Sequence, residues 1–411
     1  MNAQKQRIFD RIDQNADAIL ARSRRLFDTP ELGYREFKTN KLIRGWLDSW
    51  GVPYEPVSYT GLAATLGSGE PVVAVVADMD GLPKKAGEGR IHSCGHSLQV
   101  SAALALIEAW KDELLQGTVK VIFAPAEEMI ELSYRQSLMS QGLVKYPSGK
   151  QDMIARGVFD GVDCVLSCHA SGEPDCRFDV GSTLKGFVIL KAVYTGVGAH
   201  AGAAPFAGKN AQHAAFLAQT AIAFLKDRFD PAGGVNVQPV LSETAGTVNM
   251  VPDRAVVETY VRARTNEALF SAADLVENCL QKCGEAMDVE TEVVRRPGFL
   301  PLSQSKEINA LVKENMLLLC SEADILENLV SGASGDVGDL GTLLPTVQFG
   351  FTGVSGRFHG DVFAVTDEET ACLCPPKMLA GTVLDLFDRP VSGRADFARR
   401  KADYLKTWLG A

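Results

Sequence analysis

The sequence predicts an α/β fold: a domain on a mainly parallel sheet, interrupted by an inserted α+β domain of ferredoxin-like pattern. Three observations predict it. Short β-branched runs, Val72 to Val76 and Val119 to Phe123, flank a helical stretch from Val100 to Trp110, and Val165-Leu166 continues the alternation. That is the rhythm of a buried sheet covered by helices. From Phe187 the pattern becomes β-α-β-β-α-β, and after Pro301 the α/β signals resume. The second pattern is a split βαβ unit lying inside the first. At 411 residues the chain also exceeds the roughly 250 to 300 at which single cores stop growing.

Residues 1 to 27 carry Ile8, Ile12, Ala16, Ile19 and Leu20 at helical spacing and end in Asp28-Thr29-Pro30, which predicts one opening helix. Within the insertion, the strand-like FVILKAVYT leads into an Ala-rich helix from Lys209 to Lys226. Strands near Val235 to Leu241 and Ala255 to Arg264, a helix from Glu267 to Met287 and a strand from Val289 to Arg295 complete it. A helix from Lys306 to Cys320, a strand from Thr346 to Phe351 and a final helical stretch follow. The expected domains are therefore 1–185 with 302–411, and 186–301.

Composition narrows the function classes. The apolar fraction of 46% with 22% charged residues is that of a globular chain. No run approaches the roughly 20 apolar residues of a membrane span, and the polar start is unlike a signal peptide, so a cytoplasmic location is expected. A net charge of -10, from 51 acidic against 41 basic residues, argues against nucleic acid and for small-molecule partners. Nine cysteines fit free thiols in a reducing compartment.

Histidine is scarce, with six in the chain, so its placement is informative. His92 and His96 lie in IHSCGHSLQ, His169 in SCHASGEPD, His200 in GVGAHAGAAP and His359 in GVSGRFHGD, all read as loops or strand ends. His213, inside the Ala-rich helix, reads as an ordinary helix residue. Cys94 and His96 stand two apart after a predicted strand and loop, where strand-like spacing points both to one face. A thiolate beside an imidazole suits zinc and related divalent ions, although Cys-x-His also occurs as core packing beside a satisfied histidine. Glu127-Glu128 follows a strand at the sheet edge where open α/β folds bind ligands. It reads either as a solvated pair or, beside a metal, as a ligand and a base. Asp78 and Asp80 end another buried strand, where an aspartate either caps a turn or fixes the tautomer of a ligating histidine. The Gly-x-Gly-x-x-x-Gly around His200 departs from the dinucleotide fingerprint, and neither a Gly-x-Ser-x-Gly elbow nor a Walker A loop occurs.

ADMDGLP, HSCGH, PAEE, the lone His169, GVGAHAGAAP, AGTVNMVPD and a late FHG follow one another in an order that resembles the M20 family of metallopeptidases and amidohydrolases. The likeness is to the branch of N-acyl-amino-acid and aminobenzoyl-glutamate hydrolases, and it spans nearly the whole chain. It implies a metallohydrolase catalytic domain with an inserted lid that makes a homodimer. It also implies two divalent ions per subunit, zinc or manganese first, with cobalt or nickel also suited to these ligands. By position, Cys94 bridges the ions, and His96, Glu128, His169 and His359 complete the set. Glu127 is then the general base, His200 stabilises the oxyanion from the partner subunit, and Asn249 and Arg262 hold the substrate carboxylate. Asp78 and Asp80 support the ligands from behind. The implied reaction is hydrolysis of an amide bond in a small N-acyl amino acid, aminobenzoyl-glutamate or dipeptide-like substrate.

Two departures stand out. The commoner HACGHDGH reads HSCGHSLQ here, with Ser97 and Gln99 in place of Asp and His, and the usual glycine run after PAEE is replaced by a segment over 129–163. Two rival readings follow: a thiol enzyme with Cys94 as nucleophile, and a catalytically weak or inactive substrate-binding subunit of the same fold.

Overall fold

The fold was obtained as a computed structural model, which describes residues 3–173 and 175–410. They group into two compact units, Met1–Thr183 with Ser303–Ser331 and Asp339–Ala411, and Leu184–Leu302 with Gly332–Gly338. Residues 332–338, read above with the resumed α/β stretch, group with the smaller unit. There Lys185 N–H donates to the Ala333 carbonyl at 2.8 Å and Arg262 Nη1 to Ser334 Oγ at 2.8 Å.

The larger unit is an α/β fold on an eight-stranded sheet. Its strand order is Tyr54–Val57, Gly61–Gly67, Thr118–Ala124, Val72–Asp78, Cys164–Ala170, Thr346–Phe351, Phe178–Val180 and Ile325–Glu327. The third to sixth of these run parallel, and antiparallel joints flank them on both sides. The four central strands are the apolar runs that the sequence marks, buried on both faces as parallel strands are. The helix His96–Trp110 crosses this sheet, and every residue in it except Glu108 is buried. A helix apolar all round can sit only inside a core. Its leucines and isoleucine each contribute roughly 1.5 to 3 kcal/mol through burial.

Register aligns the carboxyl ends of the central strands: Asp78 pairs with Ala124, and His169 with Gly350. In an open α/β sheet this edge is where ligands bind.

The predicted opening helix is two helices, Ala3–Gln14 and Ala16–Phe27, broken at Asn15, whose backbone leaves the helical region at φ -96 and ψ 11. Side-chain spacing could not register the break, because Ile8, Ile12 and Ile19 all still reach the core. The strands Gly61–Gly67, Phe178–Val180 and Ile325–Glu327 are additions to the predicted set.

In the smaller unit, Gly186–Thr195 pairs antiparallel with both Arg254–Ala263 and Glu290–Pro297. Asn236–Val237 and Val240–Thr244 pair with the outer side of Arg254–Ala263. The helices Ala211–Leu225 and Asn266–Ala286 pack against each other and this sheet. Each starts at a side-chain cap: Asn210 Oδ1 accepts from Gln212 N–H and His213 N–H, and Thr265 Oγ1 from Ala268 N–H. Among the described residues, no helix is long and apolar enough to cross a membrane.

Candidate metal centre

Five segments of the larger unit converge at the sheet's carboxyl edge. Glu127 and Glu128 follow the Thr118–Ala124 strand, Asp80 follows Val72–Asp78, and His169 lies within Cys164–Ala170. Cys94 and His96 bracket the start of the buried helix. The His359 backbone N–H donates to the Ser93 carbonyl at 3.2 Å, which ties the last histidine to the same turn.

Cys94 Sγ lies 3.6 Å from His169 Nε2 and 3.5 Å from His359 Nε2. His359 Nε2 is 3.4 Å from Glu128 Oε1, and His96 Nε2 is 4.0 Å from Glu127 Oε2. Three sets of ligand atoms fall within 4.8 Å of one another: Cys94, His96 and His169; Cys94, Glu128 and His359; His96, Glu127 and Glu128. Cys94, His96 and Glu128 each belong to two sets, so the three sets form one contiguous cluster of donor atoms.

Strand alternation does not bring Cys94 and His96 together, contrary to the sequence reading. Cys94 sits in a turn, Gly95 adopts φ +79, and His96 opens the helix His96–Trp110. Only glycine fits this position: a Cβ would stand 2.6 Å from Ala170 Cβ, and the positive φ would strain any L side chain.

Asp80 orients the site from behind. His96 Nδ1 donates to the Asp80 carbonyl at 2.9 Å and to Asp80 Oδ1 at 3.1 Å, and Asp80 Oδ2 accepts from Glu128 N–H at 3.0 Å. Burial opposes charge on His96, but its contacts with Cys94 and Asp80 raise its pKa well above the ordinary value; Nδ1 keeps its hydrogen toward Asp80, and a bound cation would take the place of the proton on Nε2. That nitrogen and Glu128 Oε1 are buried with no hydrogen-bond partner among the described residues. Leaving such atoms unpaired costs about 1 to 3 kcal/mol each. A divalent ion removes that cost, so the residues fit one.

Asp78 does something else. Its carboxylate pairs with the buried ammonium of Lys150, and its N–H donates to Gln99 Oε1 at 3.1 Å. Gln99, one of the two departures, is thus a buried acceptor beneath the site. Lys150 had no sequence signal, since a single lysine after Ser-Gly reads as surface.

The electrostatics differ from one ligand candidate to the next. Burial, with the nearby charge of His96, lowers the pKa of His169 to about 4, and its Nδ1 donates to the Ala170 carbonyl at 2.8 Å. It is therefore a neutral imidazole at pH 7 whose Nε2 faces the Cys94 sulfur. Burial, and then Glu128, push the Cys94 thiol well above its ordinary range. Without a cation it is a poor nucleophile, which weakens the thiol-enzyme reading. Burial raises Glu128, against the pull of His96 and His359. Burial also opposes charge on Asp80, but the His96 hydrogen bond and charge, with Arg135, hold its carboxyl below the ordinary value.

His200, Asn249 and Arg262 belong to the smaller unit. Ala201 N–H donates to the Asn249 carbonyl at 2.8 Å and His200 bridges to Met250, so the first two are neighbours. Gly202 and Ala203 N–H groups donate to His200 Nδ1 at 3.2 and 3.0 Å. The neutral ring therefore carries its hydrogen on Nε2. Arg262 is not with them. It lies near the far end of Arg254–Ala263, about 26 Å along the strand from Arg254 at roughly 3.3 Å per residue. Its guanidinium stacks on Phe187 and Tyr260.

A family profile described as peptidase family M20/M25/M40 matches residues 74–371. An Arabidopsis thaliana protein named IAA-amino acid hydrolase ILR1-like 5 is 26% identical over 366 residues, covering 84% of this chain and 79% of its own. The mouse (Mus musculus) Xaa-Arg dipeptidase is 27% identical over 422 residues, covering 94% and 89%. A solved Bacillus subtilis structure, described as a dinuclear metal-binding peptidase of the M20 family, superposes with a TM-score of 0.71 at 20% identity over 92% of this chain and 99% of that one. The profile takes in well over half of the chain and encloses all five ligand candidates, so the protein belongs to peptidase family M20/M25/M40 and is a metal-binding hydrolase of amide bonds.

Proposed function

We propose that the protein hydrolyses the amide bond of a small N-acyl amino acid, or of an aminobenzoyl-glutamate or dipeptide-like substrate. Its centre would hold two divalent ions through Cys94, His96, Glu128, His169 and His359. The observation that carries this reading is the sharing of Cys94, His96 and Glu128 between ligand sets, with Glu127 beside them. When bound, the ions supply positive charge that acidifies water and polarises the amide carbonyl.

The chain's own residues do the rest. Glu127, 4.0 Å from His96 Nε2, accepts the proton of the attacking water and returns it to the leaving nitrogen. His200, with its hydrogen on Nε2, donates to the developing oxyanion, and its neighbour Asn249 assists with substrate. Arg262 is the carboxylate holder, in a cationic group with Lys185 and Arg264. Lys185 Nζ donates to the Gly234 carbonyl at 2.7 Å, and the Arg264 side chain lies against Gly234. The names of the Arabidopsis and mouse relatives, one acting on IAA-amino acids and one a dipeptidase, support amide substrates of this size.

The smaller unit is the proposed homodimer surface. Phe216 and Phe224 stand 48% and 73% exposed along Ala211–Leu225. The nine cysteines are all free thiols, which supports a reducing, cytoplasmic setting.

The test is EDTA-treated protein, reloaded in turn with zinc, manganese, cobalt or nickel and offered a panel of N-acyl amino acids. Activity lost to the chelator and restored by zinc or manganese is the expected result. Undiminished activity in EDTA would return the thiol-enzyme reading. Tight substrate binding without cleavage in every metal would favour the binding-subunit reading.

A further inference from the structure

The segment that replaces the glycine run is a closed excursion. It leaves at Glu128 and returns at Gly149, whose N–H donates to the Ala126 carbonyl at 3.4 Å. A Cβ on Gly149 would meet the Pro125 carbonyl oxygen at 1.8 Å, so the neck closes only with glycine. Inside the excursion, the helix Leu132–Ser140 carries Arg135, which is 1% exposed.

Arg135 reaches back to the neck. Its Nη1 donates to the Ala126 carbonyl at 3.1 Å and to the Pro147 carbonyl at 2.7 Å, and its Nη2 donates to the Glu128 carbonyl. The other side of the Ala126 residue is held by Glu36, whose Oε1 accepts Ala126 N–H at 2.8 Å. Ala126 adopts φ +56, a left-handed conformation unfavourable for alanine. Such a turn persists only when its surroundings over-determine it. The next two residues are Glu127 and Glu128.

We propose that Arg135 is a positioning residue: by holding the Ala126 and Glu128 carbonyls it fixes the turn that aims Glu127 and Glu128 at the metal centre. The excursion over 129–148 is thereby a brace for the catalytic turn. A planar guanidinium suits this task, since one rigid fork serves carbonyls in different directions, whereas an ammonium is a point donor on a flexible stem. The inference rests on Glu127 and Glu128 serving the centre as read above.

The test compares zinc affinity, by competition with a chromogenic chelator, and kcat and KM for an N-acyl amino acid, in wild type, Arg135→Met, Arg135→Lys and Tyr134→Phe. Tyr134 is on the same helix, and its hydroxyl donates to the Tyr34 carbonyl rather than to a carbonyl of the Ala126–Glu128 turn. Arg135→Met is expected to weaken zinc binding by at least about tenfold, the lower end of what lost ligand support costs. Its kcat should fall with KM little changed, Arg135→Lys should be intermediate, and Tyr134→Phe should match wild type. If Arg135→Met does not fold, Arg135→Lys decides. A folded Arg135→Lys with wild-type zinc affinity and kcat overturns the proposal, as does an equal loss in Tyr134→Phe. A wild type that binds zinc tightly but cleaves nothing counts against the hydrolase reading and leaves the affinity comparison intact.

Discussion

The two large sheets of this protein solve opposite problems. The parallel sheet of the larger unit is buried on both faces, and its central strands and covering helix expose almost nothing. The antiparallel sheet of the smaller unit alternates: along Arg254–Ala263 the buried positions are interspersed with partly exposed Glu258, Arg262 and exposed Tyr260. The first arrangement confines polar chemistry to one edge, where desolvation strengthens every charge interaction and makes each unpaired atom expensive. The second leaves a polar face and an apolar helix flank available for other molecules. The first arrangement suits chemistry that needs fixed, dry ligands, and the second suits the recognition proposed for it.

The comparison breaks most directly at Glu127. Glu127→Gln keeps shape and removes the proposed base, so hydrolysis should fall by at least about a hundredfold while zinc content and the unfolding curve stay as in wild type. A fully active variant would remove Glu127 from the reaction. Asp80→Asn should weaken metal binding by about 10- to 100-fold, because the His96 ring loses its charged acceptor; equilibrium dialysis reads this, and an unchanged affinity would show that the Asp80 carbonyl alone suffices.

A pH effect on stability should follow from Glu36, whose burial, together with the Asp80 charge, raises its pKa from 4.5 to about 8. The protonated form is the one the fold favours. That contribution is full below about 4.5 and is lost as pH rises through about 8. Glu36→Gln should flatten the decline in thermal midpoint over this window, and a decline as steep as in wild type would assign it to other groups.

The mildest change to the fold is expected on the smaller unit. Replacing Phe216 and Phe224 together by serine should alter unfolding free energy by no more than about 0.5 kcal/mol per site, yet shift sedimentation from dimer to monomer. A dimer that survives both substitutions would move the interface elsewhere.

Much of the site was legible in the chain because its parts are local. Cys94, His96, Glu127, Glu128, His169 and His359 each sit in a short segment whose residue types speak for themselves, and the strand runs before Asp78 and Glu127 are strongly apolar. Arg135, Lys150 and Glu36 were not legible. Each is a charged residue that composition would place in solvent, and each is buried because the fold brings a partner to it: for Lys150 and Glu36 one from a distant segment, Asp78 and Ala126 N–H, and for Arg135 the Glu128 carbonyl at the neck of its own excursion.

By itself, the sequence determined the alternation of strands and helices, the inserted β-α-β-β-α-β unit and the chemical identity of the ligand candidates, since periodicity and residue type are written along the chain. Tertiary structure decided which of two similar aspartates serves His96, how Cys94 and His96 meet through the left-handed Gly95, and that Arg262 stands apart from Asn249. These outcomes depend on sheet register, one backbone dihedral and the length of one strand. They are relations between segments, to which local propensity is blind.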